Sequence, residues 1–265
     1  MVILEGKHLT LSYAEDPVIK DASISIKSGE IVSIIGPNGS GKSTLLKSLC
    51  RLMKPRKGQT LLFGKDIWRE PTKEVAKKVA ILPQVKHLRA DITVRQLVGF
   101  GRYPHMRFSH SLEKKDEEII EEAICTVRLE ALRDRFVGHL SGGEQQRAWI
   151  AMALAQVPEI LLLDEPTTFL DISHQLEIME TIRRLNRERN MTILMVLHDV
   201  NQAVRFSDRI CAIKDGEIVA FTNSDEMITK ERIRELFGIE GRIYRDHEND
   251  CPFFIPTHSI ERNSC

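Results

Sequence analysis

Paired cysteines, net charge and long apolar runs are all missing from this chain of 265 residues. Its five cysteines (Cys50, Cys125, Cys211, Cys251 and Cys265) are odd in number, scattered, and never form a Cys-x-x-Cys pair. That argues against a disulfide framework and points to a reduced, cytosolic setting. The 38 basic residues are balanced by 38 acidic ones, so the total charge offers no footprint for a nucleic acid, and none is expected as a partner. Apolar runs such as Ile160–Leu163 fall far short of the roughly 20 residues that a membrane span needs. No charged segment followed by an apolar run opens the chain, so no secretory signal is read. Any membrane association therefore has to come through a partner. Internal repeats and low-complexity tracts are absent too. What is present is 42% hydrophobic residues, enough to fill the core of one large α/β domain with or without an inserted subdomain.

Ile3–Tyr13 and Ala22–Ile26 alternate apolar and polar residues, the period of antiparallel strands. Ile31–Ile35 reads as a buried strand that runs straight into a glycine-rich loop. Behind the loop Leu45, Leu46, Leu49, Leu52 and Met53 recur at helical spacing, until Pro55 and Gly58 stop them. Further strands are expected over 59–63 and 79–82. From about 89 to 156 the pattern is helical alone, with Glu113–Val127 presenting a solvated charge run on one face and Ile119, Ile120, Ala123 and Val127 at core spacing. After Pro158 the alternation of strand and helix resumes: strand Ile160–Leu163, helix near Ser173–Arg189, strand Thr192–Leu197, helix Val200–Phe206, strand Arg209–Ile213. Lys214-Asp-Gly-Glu217 signals a hairpin turn. The expected architecture is one parallel α/β core, residues 1–88 and 157–240, interrupted by a helical subdomain at 89–156 and followed by a short tail at 241–265.

Gly36-Pro-Asn-Gly-Ser-Gly-Lys-Ser43 fits G-x-x-x-x-G-K-S between a strand and a helix, the context that this motif requires. Successive backbone amides in such a loop point inward and cradle a polyphosphate at the positive end of the helix dipole. Lys42 then reaches the outer phosphates and the Ser43 hydroxyl ligates Mg²⁺. A second element, Ile160-Leu-Leu-Leu-Asp-Glu-Pro166, puts Asp164 and Glu165 at the carboxyl end of a strand, where α/β sheets place their ligands. Asp164 suits the outer shell of Mg²⁺, and Glu165 suits a base that orients or deprotonates an attacking water. Gln84 and His198 each follow a short apolar strand; Gln84 can touch both metal and water, and His198 can donate to a terminal phosphate.

These motifs, with Leu140-Ser-Gly-Gly-Glu144 about a hundred residues after the first loop, resemble the nucleotide-binding subunits of ABC transporters, and the resemblance covers almost the whole chain. It implies a P-loop NTPase core with a parallel sheet, an N-terminal antiparallel β subdomain and an inserted helical subdomain. It implies that ATP is held by Gly36, Pro37, Asn38, Gly39, Ser40, Gly41, Lys42, Ser43 and Thr44, with Tyr13 stacked on adenine. Ser141, Gly142, Gly143 and Glu144 form the signature, Thr168–Asp171 the D-loop, and Gln84 and His198 the Q-loop and switch residues. Two copies sandwich two ATP molecules head to tail, so each signature meets the phosphate held by the other copy. Two departures stand out. Glu144 replaces the commoner Gln, with its side chain expected to turn away from the phosphate, and the D-loop reads Thr-Phe-Leu-Asp with Asp171 kept.

Gly101-Arg-Tyr-Pro-His105, Arg147–Gln156, Thr167–Gln175 and Leu197–Asp208 further resemble the bacterial iron-siderophore, haem and cobalamin importer ATPases. The resemblance implies a membrane permease dimer as partner, docked on a groove around 84–108, and an extracytoplasmic substrate-binding protein behind it. The subunit is then expected on the cytoplasmic face of the membrane. A soluble ABC ATPase that remodels a protein complex, such as an iron–sulfur assembly scaffold, stays open as the other reading. His247, Cys251, His258 and Cys265 are spaced too widely for a metal site to be the first reading of the tail. His105 and His110 are expected on the surface of the groove, Trp68 and Trp149 in packing.

Overall fold

The computed structural model describes residues 1–84, 91–106 and 112–260. Its contacts divide the chain into two compact units, one formed by residues 1–68 and 194 onward, the other by residues 69–193.

The first unit opens with β1 (Val2–Leu11) and β2 (Ile19–Lys27), followed by β3 (Ile31–Ile35), α1 (Lys42–Leu49), β4 (Lys57–Leu62) and β5 (Lys65–Asp66). Strands β2-β1-β4-β5 make an antiparallel sheet in which Leu4 faces both Ile26 and Leu62 across the ladder. Alternation in β1 and β2 sends Leu4, Leu9, Leu11, Ile24 and Ile26 inward. α1 ends at Cys50, so Leu52 and Met53, expected to continue its apolar stripe, lie beyond it.

The second unit runs through α2 (Thr72–Lys78), β6 (Val79–Leu82), α3 (Val94–Gly99), α4 (Lys114–Thr126), α5 (Gly142–Ala155), β7 (Ile160–Asp164) and α6 (Ile172–Arg189). β6 and β7 pair in parallel, Val79 opposite Ile160 and Leu82 opposite Leu163. Ile160 to Leu163 are fully buried, as expected of a parallel strand covered on both faces; each contributes about 1.5–3 kcal/mol of apolar burial. α4 has Glu113 as its N-cap, in a reciprocal box with Asp116, and turns Ile120, Ala123 and Ile124 inward; Lys114, Lys115, Glu117 and Glu118 stay in water as the solvated face read from the sequence, whereas Asp116 within that run is buried.

β8 (Thr192–Val196) carries the chain across the division, and the first unit resumes with α7 (Val200–Phe206), β9 (Arg209–Lys214), β10 (Glu217–Asn223), α8 (Ser224–Met227), α9 (Lys230–Phe237), β11 (Ile239–Asp246) and β12 (Cys251–Ser259). In this unit β3 runs parallel to β9, and β9 pairs antiparallel with β10 through the Lys214–Glu217 turn. The end of the chain departs from the expected tail: β11 and β12 form a hairpin, Tyr244 opposite Phe253. Asn201 of α7 bonds it on both sides of Phe254, accepting from the Phe254 amide at 2.8 Å and donating to its carbonyl at 3.1 Å. Among the described residues no helix is long and apolar enough to cross a membrane.

Candidate functional site

In the first unit, β3 is buried throughout and delivers the chain to Gly36. Gly36 has φ +152°, and a Cβ there would sit 2.0 Å from the Ile213 carbonyl oxygen, so no other residue fits that corner. Pro37, Asn38 and Gly39 form the solvent-facing rim of the loop, whereas Ser40, Gly41 and Lys42 are buried beneath it. The Lys42 ammonium donates to the carbonyls of Gly36 at 3.0 Å and Pro37 at 2.9 Å, which holds it inside its own loop. α1 starts at Lys42 with Gly41 as a left-handed N-cap and no side-chain cap, leaving the helix terminus open to an external acceptor. The buried Ser40 hydroxyl has no hydrogen-bond partner among the described residues. An uncapped helix start, an orphan hydroxyl and a buried ammonium are what a phosphate chain requires, so these residues fit a nucleotide. Ser43 is half-buried and Thr44 buried in the first turn of α1. Thr44 Oγ1 lies 3.5 Å from the Tyr13 hydroxyl, and Lys47 Nζ 6.0 Å from the Tyr13 ring, which is 66% exposed and open to stacking. His198 is exposed just past β8, between Leu197, whose amide donates to Ile34, and Asp199, which caps α7.

In the second unit, β7 ends at the buried Asp164, and Glu165 turns out of the strand in the left-handed region at φ +52°. That backbone costs a non-glycine residue about 1–2 kcal/mol, a strain of the kind found at working sites. Gln84, 81 positions earlier, donates its amide to Glu165 Oε2 at 2.5 Å, and the Thr168 hydroxyl donates to the same oxygen at 3.1 Å. The structure thus brings together the carboxylate and the amide that the sequence assigned to the attacking water.

The signature lies in the same unit. Ser141 is the N-cap of α5, which begins at Gly142 itself. The Ser141 amide donates to Glu144 Oε2 at 2.7 Å, while Ser141 Oγ accepts from the Glu144 amide at 3.3 Å. Glu144 is therefore turned back onto the cap; the bond from the Ser141 amide keeps its carboxyl below the usual range. Gly143 is needed for close approach, since a Cβ would stand 2.3 Å from the His174 ring. Asp171 caps α6 and accepts from the His174 amide, the Ser173 hydroxyl and the His174 ring, bonds that lower its pKa to about 2. Gly143 and Asp171 are thereby joined through His174, a residue that no local pattern in the sequence singles out.

Residues 19–168 match the family model described as ABC transporter. The chain belongs to the ABC transporter family. This ABC ATPase is 48% identical over 245 residues to the petrobactin import ATP-binding protein FpuC of Bacillus anthracis, covering 92% of this chain and 89% of that one. It is 44% identical over 253 residues to the ferric enterobactin transport ATP-binding protein FepC of Escherichia coli (strain K12), covering 96% and 93%. Among solved structures it is similar to the ATP-binding cassette MJ0796, in a dimeric post-hydrolysis state bound to ADP and Pi, with a TM-score of 0.73 and 32% identity over 84% of this chain and 99% of that one. As a member of the family the chain binds and hydrolyses ATP.

The second unit of the ABC ATPase also carries an apolar groove of about 420 Å³, lined by Gly99, Phe100, Tyr103, Met106, Leu112 and Ile120, with Arg95, Gln96 and Glu117 at its polar edge. Phe100 and Tyr103 stack at 5.4 Å and are both exposed. Residues 85–90, 107 and 108 of the expected groove, and His110, lie outside the described residues. His105 is not on the groove surface: it is half-buried, its Nε2 2.8 Å from the Gln156 carbonyl, and burial lowers its pKa. The neighbouring Arg102 is buried, bonded to Asp116 at 2.8 Å and to the Ala155 carbonyl at 2.7 Å. Arg102 and His105 thus clamp the groove wall onto the C-terminal end of the signature helix. Arg102 stood in a quoted motif, but nothing local in the sequence named its partners.

Proposed function

We propose that this chain is the ATP-hydrolysing subunit of an importer for a metal chelate, a ferric siderophore before haem or cobalamin. The observation that carries the catalytic part is the bond from Gln84 to Glu165, which holds a base and a water-orienting amide as one unit. The cargo class is supported by the relatives named for petrobactin and ferric enterobactin.

In this reading two copies enclose two ATP molecules head to tail. Gly36–Thr44 of one copy holds the phosphates, Tyr13 the adenine, and Ser141, Gly142, Gly143, Glu144 and Asp171 of the other copy close the site. Ser43, Gln84 and Asp164 would hold Mg²⁺, which supplies neutralisation of charge on the outer phosphates. Glu165 accepts a proton from the water that attacks the γ-phosphorus, ADP leaves with the electron pair of the broken P–O bond, and His198 donates to the γ-phosphate. Residues 89–156, as a helical subdomain, carry the signature and the apolar groove. A short helix of the permease dimer occupies that groove on the cytoplasmic face of the membrane, and an extracytoplasmic binding protein delivers the chelate.

The test is to tag the subunit, solubilise native membranes gently and identify what co-purifies. A polytopic permease in equal amount is the expected result; only soluble proteins would overturn the transport reading. Glu165→Gln should bind ATP normally, lose at least about 10²-fold in turnover and accumulate as an ATP-bound dimer, and normal turnover would remove Glu165 from its role. Lys42→Ala should lose nucleotide affinity by titration.

A further inference from the structure

His174 has no part in the reading above, yet it touches both the acidic and the glycine side of the signature region. Its Nδ1 lies 2.7 Å from Asp171 Oδ1, an oxygen that also accepts from the His174 amide and from Ser173 Oγ, each at 2.9 Å. An ionised carboxylate can only accept, so Nδ1 carries the proton. The opposite edge of the ring lies on Gly143, where a Cβ would come 2.3 Å from Cδ2 and 3.1 Å from Nε2. Nε2 has no hydrogen-bond or ion-pair partner among the described residues, and the side chain is 33% exposed.

The charges around the signature point the same way. α5 carries Glu144 in its first turn, and Asp171 stands beside it through His174. A terminal phosphate received at this helix start meets two carboxylates, which oppose the attraction of the helix amides. A charged imidazole donates through both nitrogens, so His174 can hold Asp171 with one and offer the other to the anion.

We infer that His174 is an additional phosphate ligand of the signature: Asp171 presents the ring through Nδ1, and Nε2–H donates to the terminal phosphate that Ser141, Gly142 and Gly143 receive from the other copy. The inference rests on the head-to-tail dimer proposed above.

The test uses the full chain in a Glu165→Gln background, with ATP-driven dimerisation followed by size-exclusion chromatography with light scattering. His174→Phe keeps a ring against Gly143 without the donor, and His174→Gln keeps a donor without the ring. The Phe variant should need about tenfold more ATP for half-dimerisation, the range expected for one hydrogen bond to a charged group. The Gln variant should stay within about threefold of the parent, and fluorescent-ATP binding to the monomer should be unchanged in both. Phe dimerising as readily as His would overturn the inference, and so would equal losses in Phe and Gln, which mark a packing role. Failure of the head-to-tail reading is separately visible: the parent would then form no ATP-dependent dimer, or Ser141→Ala would leave dimerisation intact.

Discussion

Replacing Arg102 by Met should destabilise the second unit more than any other single change at the groove. Arg102 is 4% exposed, and its guanidinium bonds Asp116, itself buried, and the Ala155 carbonyl. Methionine fills much of the volume but leaves a buried carboxylate without its charge partner and a helix-terminal carbonyl without its donor. Breaking a buried pair from one side costs about 3–5 kcal/mol, because the stranded charge is not rehydrated. At a urea slope of ~2 kcal/mol per M, the midpoint falls by roughly 1.5–2.5 M. Trp149 lies in α5 and Trp68 in the other unit, so fluorescence in a Trp68→Phe background reports on the second unit alone. Adding Asp116→Leu removes the stranded charge and should recover most of the loss, apart from about 1 kcal/mol for the α4 cap that Asp116 gives to the Glu113 amide. A midpoint shift below about 0.5 M in the single variant, or a double variant no better than the single, would refute the argument.

Gln84→Ala leaves Glu165 with Thr168 at the same oxygen; turnover should fall by at least about tenfold, and equal turnover in a steady-state assay would exclude the amide from the reaction. Gly143→Ala forces a methyl onto the His174 ring and should abolish ATP-driven dimerisation, with partial recovery when His174→Ala clears the space; no recovery would mean that the glycine is required for another reason. Asn201→Ala removes both side-chain bonds to Phe254, so limited proteolysis should cut between β11 and β12 sooner, and an unchanged cleavage pattern would show that Asn201 does not hold the hairpin. For Asp171 the folded pKa is depressed, from 3.8 to about 2: its contribution is complete above the unfolded value and disappears as pH falls through about 2. A carboxyl NMR titration with an inflection near the ordinary value would contradict the three bonds drawn to it.

The parts of this protein that the sequence determined are those whose chemistry is local. A phosphate loop works through consecutive backbone amides, so Gly36–Ser43 declares itself wherever it stands. Val79–Leu82 and Ile160–Leu163 are legible because strands buried on both faces are uniformly apolar, and the signature because its cap and glycines are adjacent. Short elements carried too little periodicity: α2 has seven residues and α9 eight, and both were missed. The terminal hairpin was missed for a different reason. Pro252 and Pro256 in β12 argue against a strand, and they are tolerated because, among the described strands, β12 pairs only with β11, so its other edge carries no strand ladder.

Only the tertiary structure decided the pairings between distant residues. Gln84 meets Glu165 across 81 positions, Arg102 meets Ala155 across 53, and Phe254 meets Asn201 across 53. His174 rests on Gly143 because α6 packs against α5, and no pattern within either helix announces it. The physical reason is the range of the forces involved. Backbone geometry and hydrophobic period are written over a few neighbouring residues, whereas a side-chain hydrogen bond depends on positions to within tenths of an ångström, which only the packed chain fixes.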